Sequence, residues 1–103
     1  MIIAIASHRK GATRYKFDNG NEVSIVFGAG TYTELNDTDW ETRTDSSLIE
    51  SKDVEIMVDG KAFEKWFDRK YDGNPAGYIP VSEIPKILKR ADSKVYNQSK
   101  SKE

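Results

Sequence analysis

RYKFDNGNEVSIVF, residues 14–27, is the stretch that decides the fold. Tyr15 and Phe17 alternate with Arg14, Lys16 and Asp18, which is the period-two pattern of a half-buried strand. Asn19-Gly20 interrupts the alternation. This dipeptide is the strongest short hairpin signal, because a tight hairpin turn needs positive φ at both central residues. EVSIVF then returns as the partner strand. Upstream, MIIAIAS is short and rich in isoleucine, so it reads as a largely buried strand, with Gly11 turning the chain between. Three antiparallel strands are therefore expected before residue 28.

Further along, Val54, Ile56 and Val58 alternate with Asp53, Glu55, Met57 and Asp59, giving a fourth strand with one polar face that ends at Asp59-Gly60. KAFEKWFDRKY, residues 61–71, places Ala62, Phe63, Trp66 and Phe67 on one helical face, with Asp59 as a candidate cap. Its aromatic residues and the preceding Asp-Gly turn also suit a strand. YDGNPAGYIP has the composition of a loop. VSEIPKILKRADSKVY is the clearest helix, with Ser82 as its cap, Pro85 in the first turn, and a stripe of Ile84, Ile87, Leu88, Ala91 and Val95. The tail, residues 97–103, is polar and expected to fray. Strands early and helices late argue a single α+β domain over residues 1–103: an antiparallel sheet of about four strands with one or two helices packed on one face.

Charge is unevenly distributed. Residues 31–60 hold nine acids against Arg43 and Lys52, whereas residues 1–30 carry a net +2 and residues 61–103 a net +4. The overall net charge of −1 gives no general attraction to nucleic acid or to an anionic membrane. With no cysteine, disulfides and thiolate metal sites are excluded. The apolar start is too short for a membrane span and lacks the basic-then-apolar order of a signal peptide, so a cytoplasmic protein is expected.

The segment between the third and fourth strands, residues 31–52, shows neither a helical nor a strand period and reads as an acidic loop or arm. FGAG before it follows a strand, as a phosphate loop does, but the Lys and Ser/Thr of a P-loop and the third glycine of a dinucleotide loop are missing. Asp37, Asp39 and Glu41 alternate like the start of an EF-hand loop, yet Thr42 and Leu48 stand where that loop needs Gly and Glu. What remains is a partner-binding arm or a connector. Glu34, Asp37, Asp39, Trp40, Glu41 and Asp45 are the candidate partner-binding residues, since an aromatic anchor supplies affinity and a charged rim supplies steering.

Enzyme chemistry finds no foothold. His8 is the only histidine, and Arg9 and Lys10 beside it would lower its pKa. No nucleophile or paired carboxylates stand out by spacing. No cofactor or metal site is expected. Nucleic acid is the rival partner: Arg9, Lys10, Arg14, Tyr15 and Lys16 share the predicted hairpin, where cations can contact phosphates and an aromatic ring can stack on bases. Lys86, Lys89, Arg90 and Lys94 add a basic face on the last helix.

Two stretches, YKFDNGNEVSIVFGAGTYTE and AGYIPVSEIPKIL, together resemble the two ends of small accessory proteins encoded by tailed bacteriophages. In these an FDNG hairpin leads through a VS-V strand to a GTY or GSY turn. They close with GY or GW, a short acidic cap and a helix. The resemblance covers roughly residues 15–33 and 54–90. It implies an origin, a phage or prophage gene expressed in bacterial cytoplasm. Small accessory phage proteins commonly bind and redirect a host protein. A small non-enzymatic protein that binds and modulates a host protein is therefore expected, with direct nucleic-acid binding through the hairpin as the alternative.

Overall fold

The computed structural model describes residues 1–7, 11–28, 31–34 and 50–93. Five strands form one antiparallel sheet in sequential order: β1 (Ile2–Ala6), β2 (Ala12–Phe17), β3 (Glu22–Val26), β4 (Asp53–Asp59) and β5 (Ala76–Pro80). Helix α1 (Lys61–Tyr71) joins β4 to β5. A single 3₁₀ turn, Val81–Glu83, then leads into α2 (Ile84–Ala91). The class is α+β, with both helices packed into the core on one face of the sheet.

The central hairpin forms where residues 14–27 place it. Tyr15 stands opposite Val23, and Lys16 opposite Glu22, around the Asn19-Gly20 turn. Val23 in turn faces Val58, and Ile25 faces Ile56, so one set of alternating residues shares the helix side of the sheet. Onto it α1 presses Phe63 and Phe67, and α2 presses Ile87 and Ala91, all four fully buried. The opposite face carries Arg14, Lys16, Glu22, Ser24, Glu55, Met57 and Asp59.

Residues 61–71 are helical. The aromatic residues that also suited a strand are spaced to bury one stripe, Phe63 and Phe67 lying one turn apart. Asp59 is not the cap. Gly60 takes that position at φ +123°, and its N–H donates to the Glu64 carboxylate at 3.1 Å. Nor does Ser82 cap α2, because the 3₁₀ turn shifts the start of the α-helix to Ile84; Pro85 lies in its first turn. Of the expected stripe, Ile87 and Ala91 are buried, Ile84 and Leu88 are half-buried, and Val95 lies outside the described residues.

Two sequence expectations need correction. Ala76–Pro80, expected as loop, is the fifth strand, pairing Val54 with Ile79 and Asp53 with Pro80. Glycine, proline and asparagine hide it because they serve its entry. Asn74 stands in for a strand partner, its side-chain amide accepting from Val58 N–H and donating to Val58 C=O, both at 2.9 Å. The second correction is β1. It forms as a strand, but every residue of it is exposed, the described helices packing chiefly on β3 and β4. The frayed tail expected over residues 97–103 lies outside the described residues.

Candidate functional site

Three surfaces bear on function, and the first is the origin of the acidic segment. Gly28 turns the chain at φ +108°, and Thr31 N–H closes the turn on Gly28 C=O. The Thr31 and Thr33 hydroxyls are buried and share a hydrogen bond of 2.8 Å, so these two residues belong to the packed structure although neither is apolar. Two carboxylates of β4 then hold the backbone. Glu55 accepts from Tyr32 N–H at 3.0 Å and Asp53 from Glu34 N–H at 2.8 Å. Tyr32 C=O accepts from Tyr78 N–H of β5 at 2.8 Å. Glu34, the one described member of the acidic candidate set, is exposed at this anchored point. Asp37, Asp39, Trp40, Glu41 and Asp45 lie outside the described residues.

The basic hairpin is the second surface, and the pleat divides it. Arg14 and Lys16 project from the open face, whereas Tyr15 is on the helix side, packed against the core. Arg14 is engaged by two carboxylates, Glu22 at 2.8 Å and Asp59 at 3.1 Å, and the hydrogen bond to Glu22 raises its pKa further. Arg14 and Lys16 therefore lie on the opposite face of the sheet from the Tyr15 ring. Arg9 and Lys10 lie outside the described residues, as does His8.

The third surface is the β1 edge. Among the described residues β1 pairs only with β2. Its other side presents backbone donors and acceptors next to Met1, Ile2, Ile3 and Ile5, whose exposures are 67%, 46%, 62% and 66%. No charged residue interrupts Ile2–Ala6. A register shift falls between Ile2 and Ala4, after which Ala4, Ile5 and Ala6 stand in regular register with Lys16, Tyr15 and Arg14. The far edge of the sheet differs. There β5 ends in Pro80, Tyr78 has a positive φ of 53°, and Tyr32 lies across Gly77 so closely that a Cβ on that glycine would sit 2.4 Å from the Tyr32 Cβ. One edge is blocked and bent, as natural edges usually are; the other is apolar and has no strand partner among the described residues. Reading MIIAIAS as buried obscured this edge, because an apolar run carries the same pattern whether or not something covers it.

No protein-family model, curated protein or solved structure matches the chain. Among the described residues no helix is long and apolar enough to cross a membrane, and no group of three or more histidine, aspartate or glutamate side chains is placed to hold a metal ion.

Proposed function

We propose that the chain is a small non-enzymatic accessory protein of phage type that binds a host protein, and that β1 is the strand it offers. The open apolar edge of β1 carries this reading. An exposed strand edge without charges is a template for pairing, and an extended segment of a partner gains main-chain hydrogen bonds by adding as a sixth strand. The partner segment suited to it is itself apolar on alternate residues. Ile2 and Ile5 lie on the helix side of the sheet beyond the reach of the helices, and each large aliphatic side chain that becomes covered is worth about 1.5–3 kcal/mol. The phage origin rests on the resemblance. The two stretches that carry it meet in one core, since Phe17, Val23 and Ile25 of the first pack with Ala76, Ile79 and Ile87 of the second.

The acidic segment with Trp40 is the other surface of the same binding reading, and Glu34 marks where it leaves the anchored backbone. One experiment separates the two. The tagged chain is used to capture protein from bacterial lysate, alongside Ile3→Lys/Ile5→Lys and Trp40→Ala. Ile3 and Ile5 are exposed, so lysine at both positions should leave the melting temperature unchanged while blocking strand addition. The expected result is a specific protein retained by the parent and by Trp40→Ala but depleted at least about tenfold with the double lysine variant. Equal capture by parent and lysine variant refutes β1 as the surface. A parent that light scattering shows as a dimer, and a variant that is monomeric, would mean that the edge pairs with a second copy of the chain.

A further inference from the structure

A groove of about 490 Å³ opens between the two helices, lined by Trp66 of α1 and by Lys86, Lys89, Arg90, Asp92 and Ser93. Its floor is aromatic. Trp66 follows Phe63 by one turn and stacks on it, with ring centroids 6.0 Å apart, while Tyr71 meets Trp66 edge-on at 6.1 Å. Cations gather over this floor. The Arg90 guanidinium sits 5.2 Å from the Trp66 ring centre, and Lys70 Nζ lies 6.0 Å from Trp66 and 5.9 Å from Tyr71. Two cations, Lys70 and Arg90, thus lie over one half-buried indole, and Lys86 and Lys89 line the groove beside it.

Such convergence costs mutual repulsion, which the ring faces offset only in part, at roughly 0.5–1 kcal/mol for an exposed cation–π contact. Among the described residues two carboxylates are nearby, each already engaged. Glu83 accepts from the Tyr71 hydroxyl at 2.9 Å and pairs with Lys86 at 3.6 Å, and Asp92 pairs with the Met1 ammonium. Among the described residues, the positive charge of Lys89 beside the aromatic floor is therefore not taken up by either carboxylate, and it gives the groove a positive field.

We infer that this groove binds an acidic peptide segment. Charge complementarity sets the sign of the ligand, and two details of the lining select its class. First, the Trp66 ring is already covered by Phe63 and by the cations, so it offers no platform for stacking a base, which is what gives single strands their affinity for aromatic grooves. Second, Asp92, whose Oδ1 accepts from the Met1 ammonium, brings its other carboxylate oxygen to the groove as an acceptor. A phosphodiester backbone presents only acceptors and negative charge there, whereas a peptide presents backbone N–H donors between its carboxylates. The groove volume also falls within the range of about 300–1,000 Å³ usual for ligand sites, enough for a few acidic side chains. The inference does not depend on strand addition at β1.

The test uses fluorescence anisotropy with labelled deca-glutamate and, in parallel, labelled deca-thymidylate, on the full chain. Lys86→Gln/Lys89→Gln removes two exposed cations without touching the core, and far-UV circular dichroism with melting curves confirms the fold. Saturable binding of the peptide is expected at low ionic strength. It should weaken at least about tenfold in the double variant, and fall again toward physiological salt. Ile3→Lys/Ile5→Lys should bind the peptide as the parent does, which keeps this result separate from the β1 reading. Absence of saturable peptide binding at low salt overturns the inference, and so does equal affinity in the glutamine variant. Tighter binding of the oligothymidylate than of the peptide also overturns it and would make the groove a phosphodiester site.

Discussion

Gly60→Ala tests how the fold is locked, because the β4–α1 junction, the central hairpin turn and the end of α2 meet at that glycine. At φ +123° a side chain is strained, at a cost of about 1–3 kcal/mol. A second cost comes from Asn21. A Cβ on Gly60 would lie 2.0 Å from Asn21 Oδ1 and 3.0 Å from its Cγ, so the buried amide must move. That amide donates to Ala91 C=O, the last carbonyl of α2, at 2.9 Å, and displacing it from a buried bond costs about 1–3 kcal/mol more. Gly60→Ala should thus destabilise by about 2–6 kcal/mol, a large part of a small domain's stability. Asn21→Ala alone should cost only about 0.5–1.5 kcal/mol, since Asn19 Nδ2 also donates to Ala91 C=O, at 2.8 Å. In the Asn21→Ala background the collision is gone and only the strain remains. A double-mutant cycle by urea unfolding should therefore show a coupling of about 1–3 kcal/mol, with the double mutant more stable than additivity allows. Additivity within about 0.5 kcal/mol would refute the reasoning, because the two residues would then not share the space ascribed to them.

Phe67→Ala should cost about 3–5 kcal/mol by chemical denaturation, since the ring is fully buried between α1 and the sheet. Within α2, Ile87→Ala should cost more than Leu88→Ala, because Ile87 is buried and Leu88 only half so; equal losses would mean that the helix is rotated from the orientation described. Burial, reinforced by the hydrogen bond to Glu83, pushes the Tyr71 phenol above the usual tyrosine range. Its contribution to stability is whole below about pH 10 and is lost as pH rises through the higher folded-state value, so Tyr71→Phe should flatten the alkaline limb of the stability profile. For Glu83 the sign reverses. The bond from Tyr71, with help from Lys86 and Lys70, holds its carboxyl below the usual range, so its contribution is present above about pH 4.3 and fades as pH falls through the lower folded-state value. Superimposable stability profiles for parent and Tyr71→Phe in both limbs would count against this contact.

The hairpin was legible because two independent signals agree there: the alternation around Tyr15 and Val23 fixes the face, and Asn19-Gly20 fixes the register. What the pattern did not reveal is that the same turn reaches across to α2. Asn19 and Asn21 serve Ala91, a contact spanning some seventy positions that no local period encodes. The groove was legible in pieces. Lys86, Lys89 and Arg90 read as a basic face and Trp66 as part of an apolar stripe, but only the packing of α1 beside α2 brings the indole under the guanidinium. Thr31 and Thr33 escaped notice for a different reason. Their burial depends on the hydrogen bond between their hydroxyls, which hydropathy does not weigh.

β1 failed differently, and the failure is informative. An apolar strand is expected to be buried because burial is what makes such a sequence favourable. IIAIA forms its ladder with β2 yet stays exposed among the described residues, so the local pattern and the tertiary structure disagree at this strand. Natural chains tend to break such consistency where function demands it. A lysine or proline on this strand would have protected the edge without cost to the core, as Pro80 does on β5. Neither is present in β1. Among the described residues this sequence thus tolerates three exposed isoleucines on a strand edge that no other strand pairs, beside a sheet whose opposite edge is closed.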